Sequence, residues 1–152
     1  MNKISSFEEQ LSLHEKIIYT NVGDSMMPLL RENRDVLIIG RKSGPLKKYD
    51  IPLYKRNTGQ YVLHRIVNVS NGEYTTLGDN RIVKERGVTD SSVIGVLVGV
   101  IRDGKEISFD SLSYKLYTRI WCGLYCVRFI VFKFRALVRI LFAGGKSKKS
   151  DK

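Results

Sequence analysis

Cysteine, proline and export signals are scarce or missing in this chain, and each shortage removes a class of explanation. Two cysteines and three prolines occur in 152 residues, too few thiols to staple a small secreted scaffold. Cys122 and Cys126 lie four apart with no histidine or second cysteine pair near them, so neither a zinc site nor a disulfide framework is expected. A reducing compartment is the default, with no metal and no cofactor. The N-terminus lacks the apolar core of an export signal: Phe7 to Tyr19 is charged, and Ser6 with Glu9 has capping-box spacing, so this stretch reads as a short helix holding His14. Hydrophobic residues at 43% and charged residues at 27% are globular usage, enough for one domain plus an appendage.

Acid is missing from one end above all. Residues 111 to 152 carry ten Lys or Arg against one acid, while residues 1 to 110 carry 16 basic and 14 acidic residues. A near-neutral body with a cationic tail points to an anionic surface. The tail also holds Trp121, Phe129, Phe132 and Phe134, apolar area that a nucleic-acid arm does not need, so a membrane surface is expected and nucleic acid is not. A bilayer span needs about 20 mostly apolar residues, and Arg128, Lys133, Arg135 and Arg139 interrupt every run in this segment. On a helical wheel Arg128, Arg135 and Arg139 share a narrow sector, opposite an uncharged arc of Val127, Ile130, Val131, Phe134, Leu137, Val138 and Leu141. That is the pattern of an interfacial helix, which Gly144 and Gly145 would end before the Lys146 to Lys152 cluster.

Between Val22 and Ile107 the chain reads as short strands at Val36 to Ile39, Ile51 to Tyr54, Tyr61 to Val69, Tyr74 to Leu77 and Val93 to Arg102. Asn71-Gly72 and Asp103-Gly104 suit tight hairpins. A mainly β, mostly antiparallel body is expected, with no internal repeat.

Three short segments carry residues capable of chemistry. His64 lies within the apolar strand Tyr61 to Val67, where a titratable ring is either a satisfied core residue or the wall of a site. His14, beside Glu15 and Lys16, reads as a solvated surface residue. Ser25 stands in the turn Gly23-Asp24-Ser25-Met26-Met27-Pro28; alone it would be an ordinary turn serine, because a hydroxyl is a weak nucleophile until a neighbouring base takes its proton. Asp79 follows a strand in Leu77-Gly78-Asp79-Asn80.

Taken in order, Ser25-Met26 with Pro28, His64-Arg65-Ile66 and Gly78-Asp79-Asn80 resemble the superfamily that unites type I signal peptidases with LexA-type self-cleaving repressors. The histidine is similar to that of the endoplasmic-reticulum-type branch, where His replaces the more usual Lys base. The resemblance covers roughly residues 20 to 105. It implies a compact antiparallel β domain whose groove takes an extended peptide as an added strand. It implies Ser25 as nucleophile, His64 as general base and the Ser25 backbone N–H as part of an oxyanion hole. It also implies a carboxylate orienting His64. Asp79, Glu85 and Asp90 are candidates: Glu85 stands six residues after Asp79, where the branch carries its second Asp, and Asp79 is ranked slightly ahead because its box is intact. Asp90 reads as a turn residue at the start of a strand. Gly23 occupies the position from which many signal peptidases add a side-chain hydroxyl donor. The 24 residues ahead of Ser25 hold no membrane span and are too few for a repressor's helix-turn-helix domain.

The expectation is a serine peptidase domain over residues 1 to 110 and a basic amphipathic membrane-associating tail over residues 111 to 152. The function expected is cleavage of a peptide or leader segment at a membrane surface, with the catalytic body on the cytoplasmic side. The alternative is a membrane-surface peptide-binding protein of the same fold with little or no turnover, which the missing donor at Gly23 keeps open.

Overall fold

The computed structural model describes residues 6–109 and 111–144. The protein is mainly β, built from antiparallel sheets between a short N-terminal helix and a C-terminal helix. Helix α1 (Phe7–Leu13) starts at Ser6, whose hydroxyl accepts from the Glu9 N–H at 3.2 Å, and places Glu8 and Glu9 in its first turn. The helix stops sooner than its charge pattern suggests. His14 caps its end, and the β-branched and aromatic run that follows forms β1 (Lys16–Thr20). Ile17, Ile18, Tyr19 and Thr20 lose side-chain freedom in a helix, and here they find a partner in β2 (Val36–Gly40) that buries Ile17.

The first sheet runs β1-β2-β8-β3-β4, where β3 is Pro52–Lys55, β4 is Tyr61–Leu63 and β8 is Val93–Arg102, with β9 (Lys105–Ile107) added to the far half of β8. The second sheet is the meander β5-β6-β7, made of Arg65–Ser70, Glu73–Leu77 and Glu85–Thr89. Asn71 and Gly72 join β5 to β6 with φ of 52° and 76°, and Asp103 and Gly104 join β8 to β9 with φ of 50° and 76°, both left-handed pairs as a two-residue hairpin requires. Asp90 opens a short 3-10 turn (Asp90–Ser92) between β7 and β8.

The stretch Tyr61 to Val69, which reads as one strand, is two. Leu63 pairs with Leu53 in the first sheet and Arg65 pairs with Leu77 in the second. His64 is the single residue at which the chain passes from one sheet to the other. The main core fills one side of the first sheet with Leu11, Met26, Leu30, Leu37, Ile39 and Leu97, and a smaller core holds Tyr54, Val62, Ile66, Tyr74 and Val88.

The C-terminal segment folds as α2 (Leu112–Tyr117), a π-helical turn (Thr118–Gly123) and α3 (Tyr125–Gly144). Among the described residues no helix is long and apolar enough to cross a membrane. The expected polar sector of the helix is corrected in one place. Arg128, placed beside Arg135 and Arg139 by the wheel, is 1% exposed and points into the body. The wheel fails there because acceptors on the β domain capture the guanidinium. Further along, Ile130, Phe134, Leu137 and Ile140 are exposed. Gly145 and the Lys146 to Lys152 cluster lie outside the described residues.

Close packing at β8 yields a first test. A Cβ at Gly95 would stand 2.8 Å from Ile39 Cγ2, 2.8 Å from Leu11 Cδ1 and 2.9 Å from the Gly40 carbonyl oxygen. Gly95→Ala is expected to cost about 1–3 kcal/mol by overpacking, read as a lower urea midpoint with an unchanged denaturant slope.

Candidate active site

Met26 and Leu30 decide where Ser25 goes. Both side chains are buried in the main core, and the Leu30 N–H donates to the Met26 carbonyl at 2.9 Å, so the turn is pinned on one side. Asp35, itself buried, closes the far end of the loop by accepting from the Arg31 N–H at 2.7 Å and from the Arg102 guanidinium. Ser25 is left half-buried on a cavity of about 310 Å³, whose walls also include His64, Leu63, Asp24 and Arg81. Ser25 and His64, 39 positions apart in the sequence, thus face one space.

The Gly78-Asp79-Asn80 box forms the floor between them. The Asn80 N–H donates to the Ser25 carbonyl at 2.8 Å, while Asn80 Nδ2 at 3.2 Å and Arg81 Nη2 at 2.5 Å donate to the Asp24 carboxylate. Arg81 holds that carboxylate below its ordinary range. A Cβ at Gly78 would stand 2.7 Å from the Ser25 carbonyl oxygen and 3.1 Å from His64 Nε2. Glycine is the one residue that lets the box approach both, so His64 Nε2 and the Ser25 carbonyl lie against the same point of the box.

The opposite ring nitrogen of His64 faces Tyr54 and Glu85. Nδ1 lies 3.4 Å from the Tyr54 hydroxyl and 3.9 Å from Glu85 Oε2. Tyr54 donates its own hydrogen to Glu85 Oε2 at 2.7 Å, with Thr76 Oγ1 at 3.0 Å from the same hydroxyl. With that hydrogen committed, the phenol oxygen can only accept from Nδ1–H. This keeps the proton on Nδ1 and the lone pair on Nε2. Arg56 grips Glu85 bidentately at 2.8 and 2.7 Å and holds its carboxyl below the ordinary range, which keeps it ionised. Burial pushes the His64 imidazole down from 6.5 to about 4, against the opposing pull of Glu85. At neutral pH His64 is an uncharged base.

Asp79, ranked slightly ahead of Glu85 from the sequence, has its carboxylate on Arg65, whereas Glu85 is the carboxylate that faces His64 Nδ1. Asp79 and Arg65 are both fully buried and paired bidentately, Arg65 Nε to Oδ1 at 3.0 Å and Nη2 to Oδ2 at 2.7 Å. Tyr117 adds a bond to Oδ2 at 3.0 Å, and the Cys122 thiol adds one to Oδ1 at 3.6 Å. Burial pushes that thiol up to about 12, so Cys122 acts here as a neutral donor. Arg65 spends its remaining face on the Tyr49 carbonyl at 3.2 Å and the Tyr114 hydroxyl at 2.9 Å. Asp90 is also occupied elsewhere, by the Tyr74 hydroxyl and Lys42.

The C-terminal segment completes the floor from outside. Trp121 Nε1 donates to the Asp79 carbonyl at 2.9 Å, and Arg128 Nη1 donates to the Gly78 and Arg81 carbonyls at 3.1 and 3.2 Å. Sequence reasoning did not find Tyr54, Arg56, Trp121 or Arg128 as site residues. Tyr54 in β3 and Arg56 just past its end, two apart, carry a weak signal of a shared strand face; the two C-terminal residues carry none. Among the described residues no cluster of three or more His, Cys, Asp or Glu could hold a metal ion. Comparison with protein-family models, with curated proteins and with solved structures finds no match.

The two carboxylates are distinguished by stability. Asp79→Asn leaves a buried guanidinium without its counter-charge and is expected to cost about 3–5 kcal/mol. Glu85→Gln, at a half-exposed pair, is expected to cost about 1 kcal/mol or less. Chemical denaturation of both variants reads the difference.

Proposed function

We propose that this chain is a serine endopeptidase with a signal-peptidase- and LexA-like fold, working at an anionic membrane surface on peptide or leader segments. The observation that carries the reading is the arrangement around His64. Nε2 lies against Gly78, which also abuts the Ser25 carbonyl, and Nδ1 faces a phenol and a carboxylate.

In this reading an extended peptide lies along the edge strand β4, whose residues Tyr61–Leu63 line the cavity, and adds to it as a strand. His64 Nε2 takes the Ser25 hydroxyl proton as Oγ bonds to the substrate carbonyl carbon, and the carbonyl π electrons move to oxygen, to which the Ser25 N–H donates a hydrogen bond. The imidazolium then gives its proton to the amide nitrogen as the C–N bond breaks, leaving an acyl-enzyme and a free amine. Water repeats the sequence: His64 takes its proton, its oxygen bonds to the acyl carbon, and Ser25 Oγ leaves and recovers the proton. Burial makes His64 a weak base at rest, so the Tyr54–Glu85 pair matters most when the ring becomes charged.

Gly23 favours the alternative of a peptide-binding protein with little turnover. Its φ of 95° is a left-handed conformation that a hydroxyl residue would adopt only with strain, so the usual side-chain donor is absent at this position. Labelling by a serine-reactive phosphonate probe separates the two readings, because only an activated Ser25 reacts.

The membrane part rests on the outer face of α3, where Phe129, Ile130, Phe134, Leu137 and Ile140 are exposed beside Lys133, Arg135 and Arg139. The excess of basic over acidic residues there supports placement at the cytoplasmic leaflet.

Ser25→Ala and His64→Ala are each expected to abolish peptide cleavage, with the double variant no worse than either single one. The acid limb of kcat/KM for the unaltered protein should fall well below the ordinary histidine value of 6.5, toward about 4, since activity is lost as protonation removes the base. Glu85→Gln should lower turnover by orders of magnitude and move that limb lower still, because the charge that raises the His64 pKa is gone. At roughly 1 kcal/mol per basic residue near an anionic surface, the triple variant K133E/R135E/R139E should release the protein from phosphatidylserine vesicles with its melting temperature unchanged. Retained sedimentation with vesicles would refute the surface assignment.

A further inference from the structure

The stretch that braces the Gly78–Asn80 box also carries an exposed apolar row, which the membrane argument above does not use. Along α2 and the π-helical turn Leu112 is 86% exposed, Leu116 59% and Ile120 42%, and Leu124, just past the turn, is 50% exposed. These residues recur at every fourth position, and at 100° per residue Leu112 and Leu116 lie on the side of α2 opposite Tyr114 and Tyr117. Scattered apolar side chains on a surface need no explanation, but a contiguous row of large ones marks an interaction site.

The other side of the same stretch is spent on the candidate site. The Tyr114 hydroxyl accepts from Arg65, the Tyr117 hydroxyl and the Cys122 thiol donate to the Asp79 carboxylate, and Trp121 Nε1 donates to the Asp79 carbonyl. These bonds and the outward apolar row therefore belong to one docked arrangement of the segment. That arrangement carries a cost of its own, because Arg128 Nε is buried with no hydrogen-bond partner among the described residues.

The chemistry around the row selects its occupant. Residues 111 to 144 contain no Asp or Glu, and the exposed Lys115 and Arg119 alternate with the apolar positions. A second copy meeting this stretch face to face would set those cations against their own equivalents with no acid in the stretch to offset them. An anionic lipid layer accommodates both the apolar row and the cations.

Resting on the membrane part of the proposed function, we infer that the row from Leu112 to Leu124 is a second lipid-contacting surface and that lipid bound there holds the Gly78–Asn80 box in place. The row faces outward while Tyr117, Trp121 and Cys122 stay on Asp79, so lipid binds the docked arrangement in preference, and a ligand stabilises the arrangement it prefers. The coupling is reciprocal: whatever firms the box also favours attachment.

The test uses the full-length protein with vesicles of phosphatidylserine and phosphatidylcholine. The variant L116E/I120E, altered only at exposed positions, should bind these vesicles at least about tenfold more weakly, with its melting temperature in solution unchanged. On vesicles the amide hydrogens of Asn80 and Arg81, which bond to the Ser25 and Gly78 carbonyls at 2.8 and 3.0 Å, should exchange more slowly than in solution, by at least about threefold. Absence of binding by the unaltered protein overturns both the membrane reading and this inference. Binding that L116E/I120E leaves intact, or exchange at the box that vesicles do not slow, overturns this inference and leaves α3 as the membrane contact. Self-association of the unaltered protein that the variant abolishes would give the row to a second copy and overturns it as well.

Discussion

The buried pair of Arg65 and Asp79 is the constraint around which the rest of the molecule is arranged. Taking either ion out of water costs several kcal/mol, and mutual attraction repays that only when every remaining donor and acceptor is met. Here they are met from four directions: β5 carries the guanidinium, the box after β6 carries the carboxylate, Tyr49 supplies a carbonyl, and α2 with the π-helical turn supplies Tyr114, Tyr117 and Cys122. The pair thereby sets the height of the Gly78–Asn80 box, and the box sets the spacing between the Ser25 loop and His64 Nε2. Removing one partner would leave an uncompensated charge under the floor of the candidate site.

Above that floor, two opposed influences act on one imidazole. Its position at the junction of two sheets buries the ring and favours the neutral form, whereas Glu85 favours the charged form. Tyr54 stands between the ring and the carboxylate, so Glu85 acts through a phenol as well as across 3.9 Å of space. Arg56 limits that help by holding the same carboxylate. The balance is a base that is neutral at rest and supported when it becomes charged.

The C-terminal segment has two faces with separate physics. Trp121 and Arg128 turn inward to the carbonyls of Gly78, Asp79 and Arg81, tying the segment to the box. Beyond Arg128, Phe129, Ile130, Phe134, Leu137 and Ile140 are exposed. A segment that reads as an independent tail is therefore part of the site for its first half and free of it for its second.

Local chemistry was legible in the amino-acid order wherever it acts over a few residues. The Ser6 cap, the Asn71-Gly72 and Asp103-Gly104 hairpins and most of the strands were readable, because capping, left-handed turns and β-branched runs are decided by neighbours in the chain; Ser25, His64, Asp79 and Glu85 were singled out by resemblance and by no local rule of this kind. Assignments that depend on distant partners were not. Tyr61 to Val69 looks like one strand until Leu53 and Leu77 claim its two halves for different sheets. Asp79 and Glu85 are equivalent carboxylates in sequence, and only the fold delivers one to Arg65 and the other to Tyr54 and Arg56. Arg128 belongs to the polar face of an isolated helix, yet the carbonyls of Gly78 and Arg81, some 50 positions earlier, draw it inward. A charged group settles where its desolvation is compensated, and that partner is chosen by tertiary structure alone.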